Sequence, residues 1–193
     1  MISQLRPAIV LSLLMTVLLG LGYPLAMTGL SQTLFPDEAG GSLIARNGQV
    51  VGSRLVAQGF SGPGYFHPRP SATDVDSGVS GGSNLGPTSA ALLKRVTADV
   101  ERLGREGEGA RVPIDLVTTS GSGLDPHISP EAALFQVPRV AKARNLSPQQ
   151  LHDLVRRHIE GRSLGLFGEA RVNVLALNLA LDELRPAGDN GAR

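Results

Sequence analysis

From residue 7 to residue 36 the chain carries no charged side chain, and Leu, Val, Ile, Met and Ala dominate residues 8–30. As a helix those 23 residues would run about 34 Å, enough to cross a hydrocarbon core with some tilt. Arg6 and the amino terminus precede the run, and Asp37 and Glu38 follow it. The positive flank is expected to stay in the cytoplasm, which places residues 37–193 outside the membrane. Tyr23 and Phe35 fall towards the outer end, where aromatic rings favour the headgroup level. A cleaved signal peptide with residues 9–19 as its apolar core is the competing reading. No A-x-A site follows, however, and residues 27–34 stay apolar. A retained anchor over residues 1–36 is therefore the expectation.

Small side chains recur along this segment at Ala8, Ser12, Thr16 and Gly20. A spacing of four stacks them on one helix face. In lipid, where packing rather than water exclusion drives association, such a face admits another helix closely. Small residues are also common in any membrane helix, so chance spacing is the plain alternative. Pro24 is expected to bend the outer third of the helix, which lipid tolerates when neighbours satisfy the freed carbonyl.

The remaining chain has the size of one domain with one core. Setting Arg6 aside leaves 17 basic and 17 acidic residues, a balance that argues against nucleic acid as a partner. Cysteine is absent, so neither disulfides nor thiol chemistry enter. Frequent Gly and Pro predict long, shaped loops. The predicted class is one membrane helix followed by an α+β extracytoplasmic domain over residues 37–193, a small sheet with about four helices.

Taken in order, residues 42–60 read as a hairpin. Asn47-Gly48 lies between apolar runs that continue through Val50, Val51, Leu55 and Val56, and both turn residues accept positive φ. Residues 60–71, FSGPGYFHPRPS, are too rich in Pro and Gly for regular structure. They hold Phe60, Tyr65 and Phe66, three of the seven aromatics of the chain. Those rings must be buried, either in their own domain or against a partner. Residues 77–88 form a second Gly-rich loop. A helix is predicted over 88–105, with Leu92, Val96, Val100 and Leu103 at helical spacing. Residues 113–118, PIDLVT, have strand character. A third loop, residues 120–129, ends in Ser129-Pro130-Glu131, a strong helix start. The helix that follows, 130–143, stops at Asn145. Ser147 and Gln150 form a capping box for the next one, striped by Leu151, Leu154, Val155 and Ile159 and closed by Gly161. Residues 172–184 suit a helix better than a strand, with Asn173 as N-cap. Residues 186–193 are expected to fray.

Ser122, Asp125 and His127 invite a hydrolase reading. The form is wrong for a nucleophile elbow, which needs G-x-S-x-G, and triad members meet in space rather than within six residues. Local backbone bonding in a shaped loop is the simpler use of these side chains. His67, His127, His152 and His158 show no metal-ligand spacing. No P-loop is present. Residues 79–83, VSGGS, faintly resemble the signature loop of ABC transporters, which presents backbone N–H groups to phosphate; a tight turn before the helix is favoured.

Together the motifs YFHPRPS (65–71), SGGSNLGP (80–87), SGSGLDPHISPEAA (120–133), QVPRVAKAR (136–144) and RVNVLALNLAL (171–181) resemble the C subunit of the potassium-transporting Kdp ATPase. The likeness covers nearly the whole chain. Pro138 departs from it, and a Pro this far inside a helix is expected to kink it. The resemblance implies a subunit of a bacterial inner-membrane complex that imports potassium with ATP. Its partners would be a channel-like A subunit, a P-type ATPase B subunit and a small F peptide. The C subunit is thought to assemble or stabilise the complex, and a role in raising ATP affinity has been proposed. ATP and K+ then belong to the complex, and no cofactor is assigned to this chain. The chain has neither a D-K-T-G-T loop nor a TVGYG-like filter. Partner contact is expected through Ala8, Ser12, Thr16 and Gly20, and through the loop residues Tyr65, Phe66, Arg69, Ser80, Gly81, Gly82, Ser83, Asn84, Ser122, Asp125 and His127. The alternative is an anchored extracytoplasmic hydrolase using Ser122, Asp125 and His127.

Overall fold

The computed structural model describes residues 4–46, 48–107 and 109–184. It divides into two compact units, Met1–Val51 and Gly52–Arg193. Asn47 and the tail expected to fray lie outside the described residues.

The first unit is built on the uncharged run. Helix α1 spans Leu5–Val17 and α2 spans Tyr23–Leu34, joined by a π turn over Leu18–Gly22. The whole stretch Leu5–Leu34 is one helix of 30 residues, long and apolar enough to cross a membrane. Pro24 explains the π turn. Its ring would clash with a carbonyl of the preceding α-turn, and it has no N–H to donate. The Tyr23 N–H bonds back five residues to Leu18 O, so one extra residue per turn makes room for the ring. Two threonine hydroxyls inside the run bond back to the helix backbone. The Thr16 hydroxyl donates to Ser12 O at 2.8 Å, and that of Thr33 to Gly29 O at 2.7 Å. A short turn of helix, α3 (Pro36–Ala39), follows. Strands β1 (Leu43–Arg46) and β2 (Gln49–Ser53) form a two-stranded sheet. Gly48 lies at φ +78°, the left-handed conformation that the hairpin turn demands. The hairpin ends sooner than expected. The Ser53 hydroxyl accepts from Leu55 N at 3.1 Å, which turns the chain before Leu55 and Val56 can extend β2.

The second unit centres on helix α5 (Pro130–Arg144), with α6 (Pro148–Arg157) packed beside it and α7 (Val174–Leu184) packed against α6. Ser129 caps α5 through its hydroxyl, Asn145 closes it in the left-handed conformation, and the capping box of Ser147 and Gln150 opens α6. Helix α5 continues through Pro138, which lies exposed on its outer side. Helix α6 stops at Arg157, ahead of Gly161, because the next residues pair as a strand. Three short strands, β3 (His127–Ile128), β4 (Ile159–Glu160) and β5 (Arg171–Asn173), make an antiparallel sheet in the order β3-β5-β4. Val172 sits at its centre, opposite both Ile128 and Ile159, and is wholly buried. The third loop therefore ends in a strand. Asn173 ends β5 and caps α7, its Oδ1 accepting from Ala176 N at 3.0 Å. Helix α4 (Ala90–Glu106) is capped by Ser89 and buries Leu103.

Residues 113–118 are not a strand. Ile114–Leu116 form a single 3-10 turn. The Asp115 carboxylate is the reason. It accepts from Ser129 N at 2.7 Å and from the Ser129 hydroxyl at 3.0 Å, which fastens the segment to the start of α5. The turn sends the neighbours Leu116 and Val117 into the core together and leaves Ile114 outside. A strand would alternate them.

Candidate functional site

The aromatic loop is held by polar side chains that helices α5 and α7 aim at its backbone. Asn178 is fully buried on α7 and reads both backbone groups of Phe66. Its Oδ1 accepts from Phe66 N at 2.8 Å and its Nδ2 donates to Phe66 O at 2.9 Å. Gln136 on α5 does the same for His67, at 2.8 and 3.1 Å. Arg139 donates to Pro63 O and Tyr65 O, and Arg144 Nε donates to Gly64 O at 2.7 Å. The Arg144 guanidinium lies 4.5 Å above the Tyr65 ring and 2.8 Å from the Asp182 carboxylate. A loop without a sheet to pair with thus has its buried backbone groups satisfied by amides and guanidinium groups. Phe66 fills the core of its own domain with no exposed surface, while Tyr65 and Phe60 are half-buried, their rings tilted against each other 5.3 Å apart.

The other two loops zip together. Gly81 N donates to Ser122 O at 2.8 Å, and the Ser80 hydroxyl donates to the same oxygen at 2.9 Å. The Ser71 hydroxyl donates to Gly123 O, and that of Thr73 to Val79 O. Gly123 is where the backbones come closest. It sits at φ +73°, and a Cβ there would fall 2.7 Å from both Gly81 O and Thr73 Oγ1. A Cβ on Gly82 would lie 3.0 Å from Gly121 O. Gly123→Ala is therefore expected to cost about 2–4 kcal/mol, left-handed strain plus overpacking, read as a lower midpoint in urea unfolding. Ser83 is half-buried, and Asn84 stands exposed at φ +52°.

Arg69 ties the first loop to the third. Its guanidinium is 3.1 Å from Asp125 Oδ2. Asp125 also accepts from His127 N at 3.0 Å and lies 3.7 Å from the His127 ring. The adjacent His127 imidazole, helped by the His127 backbone N–H and Arg69, holds the Asp125 carboxyl below its ordinary value. The Ser122 hydroxyl is engaged elsewhere. It accepts from Leu124 N at 3.2 Å and shares a hydrogen bond with the Ser120 hydroxyl. The structure thus brings Asp125 and His127 together and turns Ser122 to its own loop. Ala8, Ser12, Thr16 and Gly20 are all exposed in the first unit, and a Cβ on Gly20 would touch the Thr16 methyl at 4.0 Å.

A cleft of about 160 Å³ opens beside the first loop, lined by His67, Asp99, Arg102, Glu106 and Arg139 among others. Its charges neutralise one another. Arg102 bonds Asp99 and Glu106, and Arg139 reaches Glu106 at 3.6 Å. Burial, and then Arg139, push the His67 imidazole below its ordinary 6.5. The unfolded chain then binds a proton that the folded chain refuses. Stability is complete above pH 6.5 or so and falls as the pH drops below that value towards the folded pKa. The thermal midpoint is expected to decline as the pH falls below about 6.5, and His67→Gln is expected to flatten that decline. No group of three His, Asp or Glu among the described residues is arranged to hold a metal ion.

Sequence reasoning passed over Gln136, Arg139, Arg144, Asn178 and Asp182. The signal was a polar residue at a core position. Asn178 interrupts the apolar run Leu175, Leu177 and Leu181, and Gln136 sits beside Ala133 and Val137.

Comparison with known proteins gives a consistent picture. Residues 5–183 match the family model described as KdpC, K+-transporting ATPase, c chain. Among curated relatives, a potassium-transporting ATPase KdpC subunit of Methylobacterium nodulans is 63% identical, covering 95% of this chain and 98% of its own length. Those of Methylorubrum extorquens and Rhodopseudomonas palustris are each 57% identical, covering 95% and 94% of this chain and 98% of their own lengths.

Proposed function

This chain belongs to the KdpC family, the c chain of K+-transporting ATPases, and on that premise we propose that it is a non-catalytic subunit that assembles and steadies the transport complex. The observation that carries this reading is how the conspicuous loop groups are used. Ser80, Ser122, Asp125 and Arg69 bind one another and the neighbouring backbone. Gly81, whose N–H would serve a phosphate, donates to Ser122 O. Such loops form a shaped surface rather than a reaction centre. The partners are a channel-like A subunit carrying the ion path, a P-type ATPase B subunit and a small F peptide. Helix Leu5–Leu34 anchors the chain in the inner membrane with its amino terminus in the cytoplasm and the domain outside. An effect on ATP affinity would pass through the complex rather than through nucleotide held by this chain.

The test is co-purification from host membranes in mild detergent with a carboxy-terminal tag. An ATPase and a multi-span protein in fixed ratio are the expected result, and a solitary chain would overturn the reading. Within the anchor, the face of Ala8, Ser12, Thr16 and Gly20 is the proposed contact. Gly20→Leu is expected to weaken retention by about 1 kcal/mol, roughly fivefold. Leu14→Ala should do less. Equal retention would remove the packing face. Ser122→Ala is expected to leave transport intact. Loss of transport with the complex still assembled would favour the hydrolase alternative.

A further inference from the structure

The connection between β4 and β5 is a preformed apolar knob. Residues 161–169 are all exposed. Leu164 is 89% exposed, Leu166 76% and Phe167 66%. Three large apolar side chains exposed within four residues of one tight turn are a patch rather than scattered surface residues. A polar linker would join two strands equally well, so joining β4 to β5 does not explain them.

The knob is ordered before anything binds it. Ser163 and Phe167 exchange both backbone hydrogen bonds at 2.9 Å. Leu166 N donates to Ser163 O at 3.1 Å, and Gly165 N to Arg162 O at 3.0 Å. Arg162 and Glu169 close the neck as an ion pair at 2.6 Å, and Arg171 and Glu160 pair at 3.0 Å below it. At the tip Leu164 is held at φ +55°, a conformation that a branched side chain disfavours. Strain of this kind persists where the surroundings fix it, and it clusters at binding sites.

We propose that this knob is a plug that seats in an apolar socket on another polypeptide of the transport complex, an inference that rests on the subunit reading above. The charges decide the occupant. Surfaces that lie on lipid are typically rich in free Lys and Arg on their polar side. Here the cations at the neck, Arg162 and Arg171, are each paired with a carboxylate. A neutral apolar tip with charge at its rim matches the anatomy of a protein interface. A preordered turn also loses little freedom on binding.

Because the chain has no cysteine, Leu166→Cys labels the tip alone. With benzophenone on that thiol and the complex kept in its membrane, irradiation is expected to join the chain to a different subunit. The same label at Gln149→Cys, exposed at the start of α6, is expected to give little. Adducts only with lipid, adducts only with a second copy of this chain, or no adduct would each overturn the plug. As a second readout, Leu164→Ser with Phe167→Ser is expected to keep the wild-type unfolding midpoint. Partner retention in detergent should fall about tenfold or more, and unchanged retention would overturn the proposal. If the wild-type chain brings down no partner, the subunit reading falls and the plug with it. If partners come down and the label finds none of them, the plug alone falls.

Discussion

Phe66→Ala is expected to destabilise the domain by about 3–5 kcal/mol, measured by urea unfolding of the full chain in detergent. Phe66 has no exposed surface and belongs to the core cluster with Val137, Val140 and Leu177. Val137, Val140 and Leu177 are themselves wholly buried in that cluster, so the void has little room to collapse. The backbone of Phe66 is bonded on both sides by Asn178, which resists any shift of the loop to fill the space. Phe66→Leu keeps most of the volume and should cost about 1–1.5 kcal/mol. An equal loss for Ala and Leu would mean that ring shape, rather than volume, is what the site requires.

Arg144→Met is expected to have an effect of the same order, about 3–5 kcal/mol, because it breaks a buried ion pair by removing one partner. The Arg144 side chain is 3% exposed and that of Asp182 20%. One guanidinium serves the Gly64 carbonyl, the Asp182 carboxylate and the Tyr65 ring. Met fills a similar volume but leaves the carboxylate without its partner at 2.8 Å. The double variant Arg144→Met with Asp182→Leu is expected to regain more than half of the loss, since a buried pair exchanged for apolar groups is often nearly neutral. A double variant as unstable as Arg144→Met would instead assign the loss to the Gly64 hydrogen bond and the ring contact.

Element types were mostly legible from the chain itself. The uncharged run, the capping box at Ser147 and the N-caps at Ser129 and Asn173 are local signals with local causes. Residues 113–118 were misread because their shape is decided by Asp115 reaching Ser129, 14 residues away. The ends of α6 and of the third loop were misplaced because β3 and β4 exist only as partners of β5. A strand of two residues has no pattern of its own. At the candidate site, sequence reasoning found the loops through their Gly and aromatic content. It did not find what holds them, since Gln136 and Asn178 act on carbonyl and N–H groups that look alike in every residue. The apolar knob at residues 164–167 escaped notice for the opposite reason, because apolar residues are expected to be inside.

The amide clamps also set a timetable. The Phe66 backbone is bonded by the Asn178 amide, 112 positions further on, and the Tyr65 hydroxyl donates to the Asp182 carboxylate, 117 further on. The first loop cannot take its shape until α7 has been made and docked, so nearly the full length of the chain must be present before the domain closes. A chain still being made therefore keeps this loop open until its last helix has been added. In hydrogen exchange, the amides of Phe66 and His67 should open only with the whole domain, although they lie in a loop. A truncated chain ending before Asn178 would display Phe66 to solvent, which gives quality-control proteases a clear mark of an unfinished subunit.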